Sequence, residues 1–214
     1  MLSDIKGAIF DLDGTLVDSM WVWSQIDIDY LKIKGCSMPK NLRSEIVHLS
    51  FSQTASYFKN FFNLDDSIEI ISKDWHNMAL LHYSNDVKLK LGVRDFLDIL
   101  KSYKIKIALA TSNSVPLLEV CLKNNGIYDY FDSITTTDEV SNGKDCSDVY
   151  LLAANKLGIK PEECLVFEDI LPAVKSAKSA NMKVIAVADD ECLDSKEDLL
   201  KYADKYIYSF SELL

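Results

Sequence analysis

The chain has 214 residues, 48% of them hydrophobic and 26% charged, with a formal net charge of −10. That length suits one sizeable core with room for a smaller insert, and the proportions exclude a disordered, collagen-like or coiled-coil chain. The acidic balance argues against nucleic-acid and anionic-membrane partners, because phosphate groups would be repelled.

The longest unbroken apolar run, Val149 to Ala154, is far short of the ~20 residues that a membrane helix needs. The N-terminal residues, with Asp4 and Lys6, do not read as a secretory signal. The five cysteines (Cys36, Cys121, Cys146, Cys164 and Cys192) show no CxxC spacing. They read as reduced thiols of a cytoplasmic protein, with neither a disulfide framework nor a zinc site.

In chain order, residues 5–10 are a short apolar run that stops at an Asp-rich turn, Asp11-Leu12-Asp13-Gly14-Thr15. This pattern predicts a buried strand delivering a polar loop. From about Val17 to Asp86 the pattern is helical and aromatic, with no convincing strand. Ile68, Ile71, Trp75, Met78 and His82 recur at helical spacing and predict one apolar helix face. Ser50 and Gln53 have capping-box spacing ahead of Ala55, Phe58 and Phe62. Trp21, Trp23, Trp75, Phe58, Phe61 and Phe62 read as the core of this segment. His76 and His82 suit no helical metal pair and read as structural.

After Gly92 helix and strand patterns alternate. Phe96, Leu97 and Leu100 mark a helix, and Ile105 to Ala110 a strand ending at Thr111-Ser112-Asn113. Pro116 fits an early helix position, and Asn124-Asn125-Gly126 a helix stop. Strands follow near 133–136, 164–167 and 183–188, with a short one at 206–208, and a helix over 149–157 ends at Gly158. The alternation predicts an α/β fold, a doubly wound, Rossmann-like parallel sheet built from residues 1–16 and 87–214, with residues 17–86 as an inserted all-helical subdomain.

In an open parallel sheet, ligands bind outside the carboxyl ends of the strands. Three predicted strands here end in groups able to bind a metal or a phosphate: Asp11 and Asp13, Thr111 and Ser112, and Glu168 and Asp169. Asp11 and Asp13, two apart in an extended segment, project to the same side about 6.6 Å apart. Like charges brought to ~4 Å repel by about 4 kcal/mol at an effective dielectric near 20, so such a group needs a cation or a shared proton. Oxygen ligands without His or Cys suit a hard ion, most simply Mg²⁺.

The run Asp11-Leu12-Asp13-Gly14-Thr15-Leu16 resembles the first motif of the haloacid dehalogenase superfamily, most of whose members are Mg²⁺-dependent phosphohydrolases. Thr111 fits the second motif, Lys144 the third, and Glu168-Asp169 the fourth. Phe167-Glu168-Asp169 and the Ala-rich stretch to Ala180 and Met182 are similar to the subgroup of β-phosphoglucomutases and small sugar-phosphate phosphatases, in which a helical cap lies between motifs one and two.

The resemblance implies a phosphatase acting on a small phosphorylated metabolite. Asp11 would be the nucleophile that forms an aspartyl-phosphate, and Asp13 the acid and base. Thr111, Ser112, Asn113 and Lys144 would hold the phosphoryl group. Mg²⁺ would sit on Asp11, the Asp13 carbonyl and Asp169, with Glu168 helping directly or through water. Arg43 and His48 fall where related caps meet substrate. The expected protein is a cytoplasmic monomer or weak homo-oligomer. A phosphomutase sharing every core residue is the nearest alternative. A non-catalytic phosphate- or metal-binding module is the alternative of another class.

Two motifs depart from the family pattern. The third reads Lys144-Asp145-Cys146-Ser147-Asp148 without the usual prolines, which predicts a looser loop and a less fixed Lys144. The fourth continues Ile170-Leu171-Pro172-Ala173 where relatives carry Ser-x-x-Gly, which predicts an altered loop.

Overall fold

The computed structural model describes residues 4–46, 51–192 and 196–214, and the backbone alone of Arg43, Ser44 and Ser52. The chain divides into two compact units, Met1–Ser19 with Val87–Leu214, and Met20–Asp86. In order it forms β1 (Gly7–Phe10), β2 (Val17–Asp18), α1 (Trp21–Ile33), α2 (Leu42–Ile46), α3 (Phe51–Phe61), α4 (Ile68–Asn85), β3 (Lys88–Leu89), α5 (Val93–Ser102) and β4 (Lys106–Thr111). There follow α6 (Val115–Asn124), β5 (Ser133–Thr136), α7 (Asp148–Leu157), β6 (Cys164–Glu168), α8 (Leu171–Ser179), β7 (Lys183–Val187), α9 (Lys196–Leu200) and β8 (Lys205–Ile207).

The larger unit is the predicted α/β fold. Its six-stranded sheet runs β5-β4-β1-β6-β7-β8, and every neighbouring pair is parallel. Strand side chains alternate between the two faces. On one face Ile9, Ala108, Ala110, Val166, Val184 and Ala186 form a core with Val149 and Ala153 of α7 and Ala173, Val174 and Ala177 of α8. The small alanines let those helices lie close to the sheet. On the other face Phe10 stacks on Phe167 at 4.5 Å, with Phe96 and Phe210 against them.

Val17–Asp18 is a strand rather than the start of the helical segment. It pairs antiparallel with β3, Val17 with Leu89 and Asp18 with Lys88, so both crossings between the units start from one two-stranded ribbon. Two residues are too few for strand alternation to show in a sequence.

The smaller unit is all helical among its described residues. Trp75 is its centre, with Phe58 at 4.8 Å and Tyr30 and Phe51 each at 5.7 Å. The buried face of α4 is Ile71, Trp75, Ala79 and Tyr83, rotated slightly from the expected one. Ser67 caps this helix by accepting from the Ile70 amide. Phe61 is 57% exposed and Trp23 36%, so neither is core. Ser50, where a capping box is expected, lies outside the described residues. All five cysteines are free, and no described helix is long and apolar enough to cross a membrane.

Candidate active site

Three parallel strands end side by side in the middle of the sheet. Phe10 is level with both Leu109 and Phe167. The residues just beyond therefore arrive together: Asp11 after β1, Thr111 at the end of β4, and Glu168 and Asp169 at the end of β6. The strand order reverses across β1, which is where a doubly wound sheet opens a crevice.

Asp11, Glu168 and Asp169 are buried, and each offers an oxygen within 4.8 Å of the others. The Lys144 ammonium is placed among them. It forms ion pairs with Asp11 and, at 2.6 Å, with Glu168 Oε1. The Tyr150 hydroxyl of α7 donates to that same Glu168 oxygen at 2.7 Å. Thr15 donates to Asp169 Oδ1 at 3.1 Å, tying the first motif to the fourth.

Burial pushes the Asp11 carboxyl well above the usual carboxylate range. Lys144 opposes that shift, while Glu168, Asp169 and Asp13 add to it. Burial, then Glu168, pushes Asp169 up to about 7. For Lys144 burial works against the charge, but Asp11 and Glu168 outweigh it and hold the ammonium above the usual lysine range. Burial and Glu168 also keep Tyr150 protonated as a donor. Three carboxylates against one ammonium leave the group short of positive charge. Its all-oxygen donor set fits a small hard cation.

Asp13 lies apart from this group. Its carboxylate accepts from Ser19 Oγ at 2.6 Å and from Asn113 Nδ2 at 2.8 Å. A place for Asp13 among metal ligands therefore rests on its main-chain carbonyl. Thr111 is buried, and its hydroxyl accepts from the Asn113 amide at 3.0 Å, while Ser112 is exposed. Asn113 Oδ1 accepts from the Ser114 amide at 2.8 Å. The Asn113 side chain, expected on phosphate, is bonded here to Asp13 and to its own turn.

Lys144 is held despite the missing prolines. Its loop closes through Asn142 donating to Asp148 at 2.8 Å and the Cys146 amide donating to the Gly143 carbonyl at 3.1 Å. After Asp169, Pro172 sits in the first turn of α8, and Ala173 fills the core at the usual glycine position. His48 lies outside the described residues, as does the side chain of Arg43.

Sequence reasoning missed Tyr150, Thr15 and Ser19. Tyr150 sits inside the longest apolar run, where its hydroxyl gives no signal. Ser19 is brought to Asp13 by the turn in which Asp13 bridges Val17.

Residues 8–187 match the haloacid dehalogenase-like hydrolase family model. The chain is 30% identical over 181 residues to a phosphorylated carbohydrates phosphatase of Thermotoga maritima, covering 85% of this chain and 84% of that one. It is 26% identical to hexitol phosphatase B of Escherichia coli, covering 98% and 94%. A Thermotoga maritima crystal structure, provisionally named a β-phosphoglucomutase, superposes with a TM-score of 0.85 at 29% identity, covering 95% of this chain and 94% of that one. The chain belongs to the haloacid dehalogenase-like hydrolase family, as an enzyme of its phosphohydrolase branch.

Proposed function

We propose that the protein is a Mg²⁺-dependent phosphatase that hydrolyses a small, sugar-phosphate-like monoester through an aspartyl-phosphate on Asp11. The observation that carries this reading is the buried Asp11–Lys144–Glu168 chain with Asp169 beside it, at the ends of adjacent parallel strands. The phosphorylated carbohydrates phosphatase among its relatives supports the substrate class.

In this reading Asp11 attacks phosphorus in line, forming an oxygen–phosphorus bond as the ester oxygen leaves. Asp13 gives its proton to that oxygen, then takes one from the water that cleaves the aspartyl-phosphate. Ser19 and Asn113 hold the Asp13 carboxylate for that exchange. Lys144, Thr111 and Ser112 bind the phosphoryl oxygens. Asp11, Asp169 and the Asp13 carbonyl would hold Mg²⁺, with Glu168 direct or through water. The bound ion supplies the charge that lets an anionic carboxylate meet an anionic phosphate. Residues 20–86 act as the cap that selects the substrate, with Arg43 and His48 as its contacts. The protein works in the cytoplasm as a monomer or weak homo-oligomer.

The test is phosphate release from sugar phosphates, nucleotides and an aryl phosphate, with Mg²⁺, with chelator, and with Asp11→Asn. Mg²⁺-dependent release that disappears in Asp11→Asn supports the proposal, and release indifferent to both sinks it. The likeness to the β-phosphoglucomutase-named structure favours a second reading, a phosphomutase. That enzyme would return an isomerised sugar phosphate in the presence of a sugar bisphosphate instead of free phosphate.

A further inference from the structure

Lys90 follows β3 directly, and its side chain is 13% exposed. Its ammonium donates to three oxygens from two separate segments: the Gly14 carbonyl, the Ala188 carbonyl at 2.7 Å and Asp189 Oδ2 at 2.8 Å. An ammonium has three N–H donors, and each has an acceptor. The Lys90 amide donates in turn to the Leu16 carbonyl at 2.9 Å. One residue thus grips both ends of the 14–16 turn and fastens it to the end of β7.

That turn is where the first motif does its work. Gly14 has φ 76°, a left-handed conformation that glycine adopts without strain. Asp13 precedes it, and Thr15 after it donates to Asp169. A buried ammonium is a poor device for stability alone, since an apolar residue of similar volume commonly serves as well. Its use here is directional, because one N–H holds the turn at Gly14 while the other two anchor the ammonium to the end of β7.

We propose that Lys90 is a positioning residue for the reaction, holding the first-motif turn so that the Asp13 carbonyl and carboxylate stay in register with Asp11 and Asp169. This inference rests on the phosphatase reading above. It requires no contact between Lys90 and the substrate.

The test uses Lys90→Ala. A cavity of about 380 Å³ lined by Asp18, Lys90, Asp189 and Tyr208 adjoins the position, so a small amine can reach the vacated place. Three quantities are read below the variant's melting temperature: kcat and KM on an aryl phosphate, and the Mg²⁺ dissociation constant by calorimetry without substrate. The expected result is a kcat lower by about tenfold with KM nearly unchanged, within the roughly hundredfold that a 1 Å misplacement of a catalytic group can cost. Mg²⁺ binding should weaken several-fold. Propylammonium should restore part of both, and tetramethylammonium, which has no N–H, neither.

A variant that merely melts earlier, with kcat and Mg²⁺ affinity unchanged, overturns the proposal. A loss that both amines or neither restore overturns it too. Should Lys90→Ala not fold, Lys90→Gln is read for kcat and Mg²⁺ affinity in the same way. Wild-type protein that releases no phosphate defeats the phosphatase reading instead, and the calorimetry still reports on the clamp.

Discussion

Asn113 Nδ2 donates to Asp13 Oδ2 at 2.8 Å, so the loop after β4 sets the carboxylate of the loop after β1. Ser19 holds the other oxygen at 2.6 Å. A group that must give and then take a proton works only if it is held in reach of both oxygens. Asn113→Ala should therefore lower kcat by about tenfold with little change in KM, since the lost interaction aims the acid without binding the ester. Steady-state kinetics on one substrate checks this. A rise in KM with kcat intact would assign Asn113 to phosphate binding.

Lys144 is the sole cation bonded to Asp11 and Glu168 among the described residues. Lys144→Met should abolish activity and destabilise the metal-free protein by about 3 kcal/mol, because removing one member of a buried ionic group strands the others. Part of that loss should be recovered when Mg²⁺ is added, if the cation occupies the same carboxylates. Urea unfolding with and without Mg²⁺ measures both effects. Equal midpoints for variant and wild type would show that Lys144 carries no such weight.

Mg²⁺ affinity should depend on pH with a definite sign. Burial, then Glu168, lifts Asp169 to about 7, and a ligand carboxylate must lose its proton before it binds metal. Below pH 7 the ion has to displace that proton, so affinity falls by roughly tenfold per pH unit for each proton displaced. Above pH 7 the part due to Asp169 levels off. Calorimetry at pH 6 and pH 8, in buffers of different ionisation heat, counts the released protons. Identical affinity at the two values would contradict the shift.

The helical unit offers an independent check. Burial raises the half-buried Asp27 from 3.8 to about 7. Between those values the folded state holds a proton that the unfolded state has released, so stability declines as pH climbs from about 4 towards 7 and is flat beyond. Asp27→Asn removes this loss. Its advantage over wild type should be near zero at pH 4 and complete by pH 8, read from urea midpoints at both. A constant difference across that range would mean the carboxyl titrates normally.

The strands of the sheet and the helices at 93–102, 115–124 and 148–157 could be read from the chain, as could the polar groups at the strand ends, because each is written locally. An apolar run of four to six residues ending at a polar pair is a strand ending at a sheet edge, as at Phe10-Asp11 and Phe167-Glu168. Helical spacing likewise revealed α4, although its buried face is turned slightly from the expected one. What the third motif does without its prolines was not legible. Asn142 and Asp148 close that loop through a side-chain bond, and no proline rule describes such a contact.

The chain alone directs carboxylates, a threonine and a lysine to strand ends and neighbouring loops, since alternation and turn chemistry act over a few residues. Which of them meet is a matter of packing. Lys144 reaches Asp11 and Glu168, Tyr150 turns out of an apolar run onto Glu168, Asn113 serves Asp13, and Lys90 closes on Gly14 across 76 positions. Those pairings follow from the strand order and register that pack β1 between β4 and β6. Burial there removes water, so most polar groups take a partner, and the partner is whichever group the packing brings within reach.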